Sequence, residues 1–229
     1  MITVIIPTLD AETSLAATLT ALVPGVVAGV VRDVVIVDGG SSDRTLKIAD
    51  NAGAKVIHSG SGRGQQLAAG AAGARGDWLL FLHADTVLER GWEDEVAAFM
   101  ERCESGARRE TAAAFRFALD DIGFWPRLIE SGVSLRCGLF RLPYGDQGLL
   151  IPRRLYQSRG GFRPLPLMED VDFIRRLGSG QPVILRSRAV TSAARYQRDG
   201  YVRRIGRNIA CLAMYYLRVP NRFIKRIYG

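Results

Sequence analysis

Four stretches of this sequence set chemically capable side chains just beyond short apolar runs. Residues 34–37 lead into Asp38-Gly39-Gly40-Ser41-Ser42-Asp43, and residues 1–6 lead into Pro7-Thr8-Leu9-Asp10-Ala11-Glu12. A carboxylate one residue past a buried strand, followed by glycines that let a ligand approach the backbone, suits hydrogen bonds from a base N–H or a ribose hydroxyl. Two such loops side by side at one sheet edge leave room for a nucleoside between them. Asp43 and Ser42 have a competing use as caps of the next helix. In Leu82-His83-Ala84-Asp85, an acid at a strand end beside a nucleotide could hold a divalent cation, Mn or Mg. One carboxylate suffices only if a diphosphate supplies further ligands, and His83 is either a second ligand or a structural histidine. In Met168-Glu169-Asp170-Val171-Asp172, one acid is a general base for an acceptor hydroxyl, or all are the charged first turn of a helix. Gly60-Ser61-Gly62-Arg63-Gly64 fails the dinucleotide pattern at Gln65; it offers Arg63 to a phosphate or leaves it in solvent.

The elements that must position these residues alternate in type. Residues 1–6 and 34–37 read as strands buried on both faces, and 55–57 and 78–82 as a third and a fourth strand. Between them come a helix carrying Leu15, Leu19 and Leu22 and ended by Pro24-Gly25, a helix over 45–50, and an alanine-rich helix running to Arg75. Further on, the pattern predicts a helix over 92–102, a strand over 112–117, a helix over 124–137, a strand over 148–151, a turn at Gly160-Gly161 and a helix over 171–177. This is an α/β chain with a doubly wound, mainly parallel sheet, in which ligands bind beyond the carboxyl ends of the strands.

At 229 residues, 48% hydrophobic and 24% charged, the chain has the makings of one full domain. Cys103, Cys137 and Cys211 are scattered, which indicates neither a disulfide framework nor a zinc site. The opening residues read as a strand and not as a signal peptide, so the expected location is cytoplasmic. The net charge of +8 arises entirely from Arg195 onward, where nine Lys/Arg face a single acid, Asp199. There Tyr201, Ile205, Ile209, Leu212 and Tyr216 share one helical stripe, and Pro220-Asn221 precedes Phe223, Ile224 and Ile227. The run is far too short to span a bilayer; it either lies on an anionic membrane surface, packs on the domain over 1–200, or forms a homodimer contact. Nucleic acid is not expected, because the stripe is apolar and aromatic.

Taken in order, Val4-Ile5-Ile6-Pro7-Thr8-Leu9, Val37-Asp38-Gly39-Gly40-Ser41-Ser42-Asp43-Arg44-Thr45, Arg63-Gly64-Gln65-Gln66, His83-Ala84-Asp85-Thr86 and Met168-Glu169-Asp170-Val171-Asp172 resemble glycosyltransferase family 2. The resemblance implies the GT-A fold and inverting transfer of a sugar from a UDP- or GDP-linked donor, with a divalent cation, to an acceptor hydroxyl that is free or lipid-linked. It implies that Asp170, with Glu169, is catalytic, and that Asp85 is the metal-binding end of an Asp-x-Asp motif whose first position is His83. It places Pro7, Thr8, Asp10, Glu12, Asp38, Arg63, Ala84, Asp85, Asp146, Arg195 and Arg198 around the nucleotide sugar. Tyr144-Gly145-Asp146-Gln147-Gly148 looks like a small bacterial subgroup without the membrane region of many relatives. Two other readings stay open: a sugar-1-phosphate nucleotidyltransferase, which needs a glycine- and arginine-rich loop where Pro7-Thr8-Leu9-Asp10 stands, and a non-catalytic domain that binds anionic lipid.

Overall fold

In β1 (Ile2–Thr8) every residue but Pro7 is buried, and successive side chains enter opposite faces of a sheet. Ile2, Val4 and Ile6 join one core with Leu15, Leu19 and Leu22 of α1 (Leu15–Val27) and Trp92, Val96 and Phe99 of α4 (Trp92–Glu104). Ile5 joins the other with Leu67 of α3 (Arg63–Ala72) and with Phe173, Ile174 and Leu177 of α7 (Glu169–Leu177). Apolar side chains on both faces need helices on both faces, which is the doubly wound arrangement. The computed structural model of the chain describes residues 1–60, 62–140, 142–165, 167–178 and 182–228; Ser61 of the glycine-rich loop lies outside them.

The remaining elements are β2 (Val31–Asp38), α2 (Thr45–Asn51), β3 (Lys55–His58), β4 (Trp78–Phe81), β5 (Thr86–Leu88), β6 (Ala113–Leu119), α5 (Phe124–Phe140), β7 (Leu149–Pro152), α6 (Arg153–Ser158), β8 (Val183–Thr191), α8 (Ala194–Asp199), α9 (Tyr201–Tyr216) and α10 (Asn221–Tyr228). The sheet order is β3-β2-β1-β4-β7-β6-β8-β5. The first four strands are parallel, β7 runs antiparallel between β4 and β6, β8 is parallel to β6, and β5 is antiparallel to β8. Because β1 and β4 are neighbours, the loop after β4 lies beside the loop after β1.

Two expectations fail for tertiary reasons. Pro24-Gly25 does not end α1, which runs on to Val27. A Cβ on Gly25 would lie 2.6 Å from the Trp92 ring, and the indole N–H of Trp92 donates to the Ala21 carbonyl at 3.0 Å. A helix on another part of the chain thus docks on the Pro-Gly step and carries the helix through it. The stretch between Leu177 and Arg195, to which the sequence assigned no element, holds the nine-residue β8. Its polar middle is secured by a side chain: the Glu95 carboxylate accepts the N–H groups of Arg186 and Ser187, both at 2.8 Å.

Candidate active site

The ends of β1 and β2 are tied to one another, with Thr8 opposite Asp38 in the ladder. Asp38 is buried. Its Oδ2 accepts the N–H groups of Gly40 and Ser41, each at 2.9 Å, while Oδ1 accepts the Ser41 hydroxyl at 2.5 Å and the Thr8 hydroxyl at 3.1 Å. Burial pushes this carboxyl upward, but the bonds from Ser41, Gly40 and Thr8 outweigh it and hold the group below its ordinary value. Asp10, at φ 48°, accepts the Ser42 N–H at 2.9 Å, and its own N–H donates to the Ser41 hydroxyl oxygen at 2.9 Å. The Glu12 N–H donates to Asp43 at 2.9 Å, and Glu12 accepts the Arg44 N–H at 3.1 Å. Asp43 also accepts the N–H of Thr45, the first residue of α2, at 2.9 Å, from one position before the N-cap Arg44.

Hydrogen bonds thus join the two loops between which the sequence placed a nucleoside. Asp10, Glu12 and Asp38 brace the loops, because parallel neighbouring strands deliver short polar side chains to within bonding distance of each other. Pro7 and Thr8 lie within β1, and the Ala84 carbonyl accepts the Thr18 hydroxyl at 3.0 Å. Underneath, the buried amide of Gln66 donates to the Thr8 carbonyl at 2.9 Å and to the Val37 carbonyl at 2.8 Å. Gly39 leaves room for it, since a Cβ there would lie 3.0 Å from the amide nitrogen. Gly64 admits the backbone of the 163–165 segment, as a Cβ would meet the Arg163 carbonyl at 2.3 Å. The Gly64-Gln65-Gln66 stretch was matched by resemblance, but its bracing role was not foreseen; a buried amide two residues after a glycine was the available signal.

Beside these loops lies a pocket of ≈ 390 Å³ that brings together seven of the expected residues: Arg63, His83, Asp85, Asp146, Glu169, Asp170 and Arg195. Pro7, Thr8, Asp10, Glu12, Asp38, Ala84 and Arg198 do not line it. Arg198 points elsewhere, its Nε 2.9 Å from Asp199, so the structure does not support it as a diphosphate contact. One wall is apolar, formed by Leu128, Ile129 and Val133 of α5 with Ile205, Ile209 and Leu212 of α9. Arg136 and Arg204 also line the pocket and were not anticipated. Arg136 sits 3.8 Å above the Tyr144 ring and reaches Gln147 at 3.3 Å, so the 144–148 stretch sets its placement.

The acids at the start of α7 separate into different jobs. Met168 takes a left-handed backbone at φ 62°, which turns the chain into the helix. Asp172 pairs with Arg163 at 3.3 Å and with Arg176 at 2.9 Å. Glu169 is buried with its Oε1 3.6 Å from Arg63 and in no hydrogen bond. Burial, and then the Asp170 charge, push the Glu169 carboxyl up to about 7 against the pull of Arg63. Asp146 is likewise raised by burial, to about 6, and its Oδ1 has no hydrogen-bond partner. His83 is held well below its ordinary value by burial and by the positive charges of Arg63 and Arg195. Its imidazole is therefore neutral at neutral pH.

The raised Glu169 has a measurable consequence. A carboxyl that binds its proton more tightly in the folded state stabilises the fold at low pH, and that contribution is lost as pH rises from near 4.5 through about 7. Glu169→Gln is expected to flatten the fall of Tm over this window, leaving the part due to Asp146. Thermal denaturation of both proteins across the window checks this, and an unchanged slope would contradict it.

These features compose an α/β architecture: a parallel half presenting braced loops, and a mixed half closing a charged pocket beside them. The model of the family described as Glycosyl transferase family 2 matches residues 3–119, and the chain belongs to that family. A TPR repeat-containing protein of Synechococcus elongatus is 41% identical over 93 residues, which is 36% of this chain and 22% of that protein. The chain thus spans less than a quarter of the length of this relative. Among solved structures, S. aureus TarS 1–349 in complex with UDP is similar with a TM-score of 0.61 and 18% identity, over 99% of this chain and 69% of that one. Glucosyl-3-phosphoglycerate synthase from Mycobacterium tuberculosis, in complex with Mn2+, UDP and glucosyl-3-phosphoglycerate, gives 0.57 and 20%, over 83% and 70%. At these identities the likeness is one of fold, and the fold is GT-A.

Proposed function

We propose that the chain is an inverting glycosyltransferase that moves a sugar from a UDP-sugar to an acceptor hydroxyl. The observation that carries this is the convergence of Arg63, His83, Asp85, Asp170 and Arg195 on one pocket at the carboxyl end of β4. In this reading Arg63 and Arg195 hold the diphosphate by charge and hydrogen bonding, and the loops braced by Asp38 shape the nucleoside end. Asp170 takes the proton of the acceptor hydroxyl as its oxygen bonds to the anomeric carbon, and the bond from that carbon to the diphosphate oxygen breaks from the opposite side. One carboxylate suffices, unlike the acid pair of a glycosidase.

A divalent cation fits this donor set. Among the described residues no three His, Cys, Asp or Glu side chains are grouped to hold an ion. Asp85 and the neutral imidazole of His83, the form that ligates, would hold one jointly with the diphosphate. Such an ion would offset negative charge developing on the departing diphosphate. Among the relatives, the Mycobacterium tuberculosis synthase structure contains Mn2+ and UDP, which supports the choice of ligands to try first.

The test is a thermal-shift comparison of UDP and GDP with and without Mn2+ or Mg2+, followed by product analysis. A ligand at a hundred times its Kd stabilises by about 2.7 kcal/mol, a shift of several degrees in a chain of this size. UDP with Mn2+ is expected to give that shift, and incubation with a UDP-sugar to release UDP. Release of pyrophosphate from a nucleoside triphosphate would instead identify a nucleotidyltransferase.

A further inference from the structure

The apolar wall of the pocket continues onto the outside of the protein. Leu128 of α5 is 47% exposed and Ile209 of α9 is 63% exposed, yet both line the pocket. On α5, the exposed Phe124, Leu128, Leu135 and Leu139 fall within about 60° of one face at 100° per residue. On α9, Val202, Ile209 and Tyr216 are exposed at successive seven-residue steps. On α10, Phe223 and Ile227 are exposed at 43% and 48%, while Ile224 of the same helix is fully buried and anchors it. Isolated exposed apolar residues are ordinary, but a set carried on the same helices that bring Leu128 and Ile209 to the pocket marks an interaction surface.

We propose that α5, α9 and α10 form a platform that rests on an anionic membrane surface. From there the chain takes an amphiphilic acceptor, whose hydroxyl reaches Asp170 while its hydrocarbon passes between α5 and α9 into the bilayer. The acceptor part rests on the transferase reading above. Charge selects the occupant. No acidic residue follows Asp199 in the sequence, and Asp199 is itself taken up by Arg198, Arg204 and Arg207. Arg203, Arg218, Arg222 and Arg226 are exposed on these same two C-terminal helices and their connection. Arg222 and Arg226 flank Phe223 and Ile227, the mixture of basic and apolar residues that seats a helix at the headgroup boundary. A second copy of the chain on this face would set these arginines against each other across a two-fold axis. Among the described residues no helix is long and apolar enough to cross a membrane, so the contact is one of surface seating.

The full chain is mixed with phosphatidylcholine vesicles with and without phosphatidylglycerol and sedimented. Binding is expected only to the anionic vesicles, weakened roughly 30-fold by Arg222→Ala with Arg226→Ala. In a Cys103→Ser background, an environment-sensitive dye on Ile209→Cys should shift to the blue on vesicle addition. The same dye on Val27→Cys, in α1 and 82% exposed, should not. Failure to sediment, equal sedimentation with both vesicles, equal dye responses at both positions, or a dimer that excludes vesicles would each overturn the platform. Stabilisation by UDP is measured on the same samples. If UDP stabilises and vesicles do not bind, the platform falls and the transferase reading stands; if vesicles bind and UDP does nothing, the amphiphilic acceptor falls with the transferase reading.

Discussion

Asp170→Asn is expected to lower sugar transfer by about 10²–10⁴-fold, the usual contribution of a positioned general base, while leaving stabilisation by UDP close to that of the parent protein. Asparagine keeps the shape of the side chain and removes its ability to take a proton. The neighbouring acids are poor substitutes. Glu169 is buried against Arg63, Asp146 is buried, and Asp172 is committed to Arg163 and Arg176. Asp170 lines the pocket whose apolar wall comes from α5 and α9, and its Oδ1 accepts the Val171 N–H at 2.7 Å. The experiment measures initial rates alongside thermal shifts with UDP. Loss of UDP stabilisation with transfer otherwise unchanged would remove Asp170 from the chemistry and assign it to donor binding.

Asp38→Ala should be the most damaging substitution for the fold near the site. It removes the acceptor of four hydrogen bonds at once and strands the N–H groups of Gly40 and Ser41 and the hydroxyls of Ser41 and Thr8. Hydrogen bonds to a charged group contribute roughly 1.5–3 kcal/mol each, and the stranded donors regain part of this only where water reaches them. A loss on the order of 3 kcal/mol follows, or several degrees of Tm. Because Ser41 also meets the Asp10 N–H, both loops loosen and UDP stabilisation should fall as well. The parent protein should show the matching pH dependence. Asp38 is held below its ordinary value of 3.8, so its contribution is complete above that pH and is lost as pH falls through the lower folded-state value. A Tm for Asp38→Ala equal to that of the parent at pH 7 would show that the loops are held by other means.

The contrast between these two aspartates shows how far a sequence can be read. Asp38 was legible as important because it follows a strand of buried, β-branched residues and precedes two glycines. Its hydrogen bonds were not foreseen, because a sequence does not say that the donors to that carboxylate come from Ser41, Gly40 and the neighbouring strand. Asp170 was indistinguishable from Glu169 and Asp172 on local grounds, since all three occupy the first turn of one helix. Only packing separates them, sending Asp172 to arginines of the 163–176 stretch, Glu169 to a buried place against Arg63 at the pocket, and Asp170 to the pocket beside it. Arg195 and Arg198 were equally matched as candidates three residues apart. One lines the pocket and the other pairs with Asp199.

The sequence by itself determined the parallel half of the sheet and the order of its loops. The strands over 1–6, 34–37, 55–57 and 78–82 are short apolar runs, of which those in β1 and β4 are the most fully buried, and period and turn residues identify such runs without knowledge of their partners. The tertiary structure decided the rest, because the deciding interactions join residues far apart in the chain. Trp92 carries α1 through Pro24-Gly25, Glu95 secures the polar middle of β8, and α9 returns to line the pocket opposite α5. A hydrogen bond or a packed ring that spans dozens of residues leaves no periodic trace in the sequence.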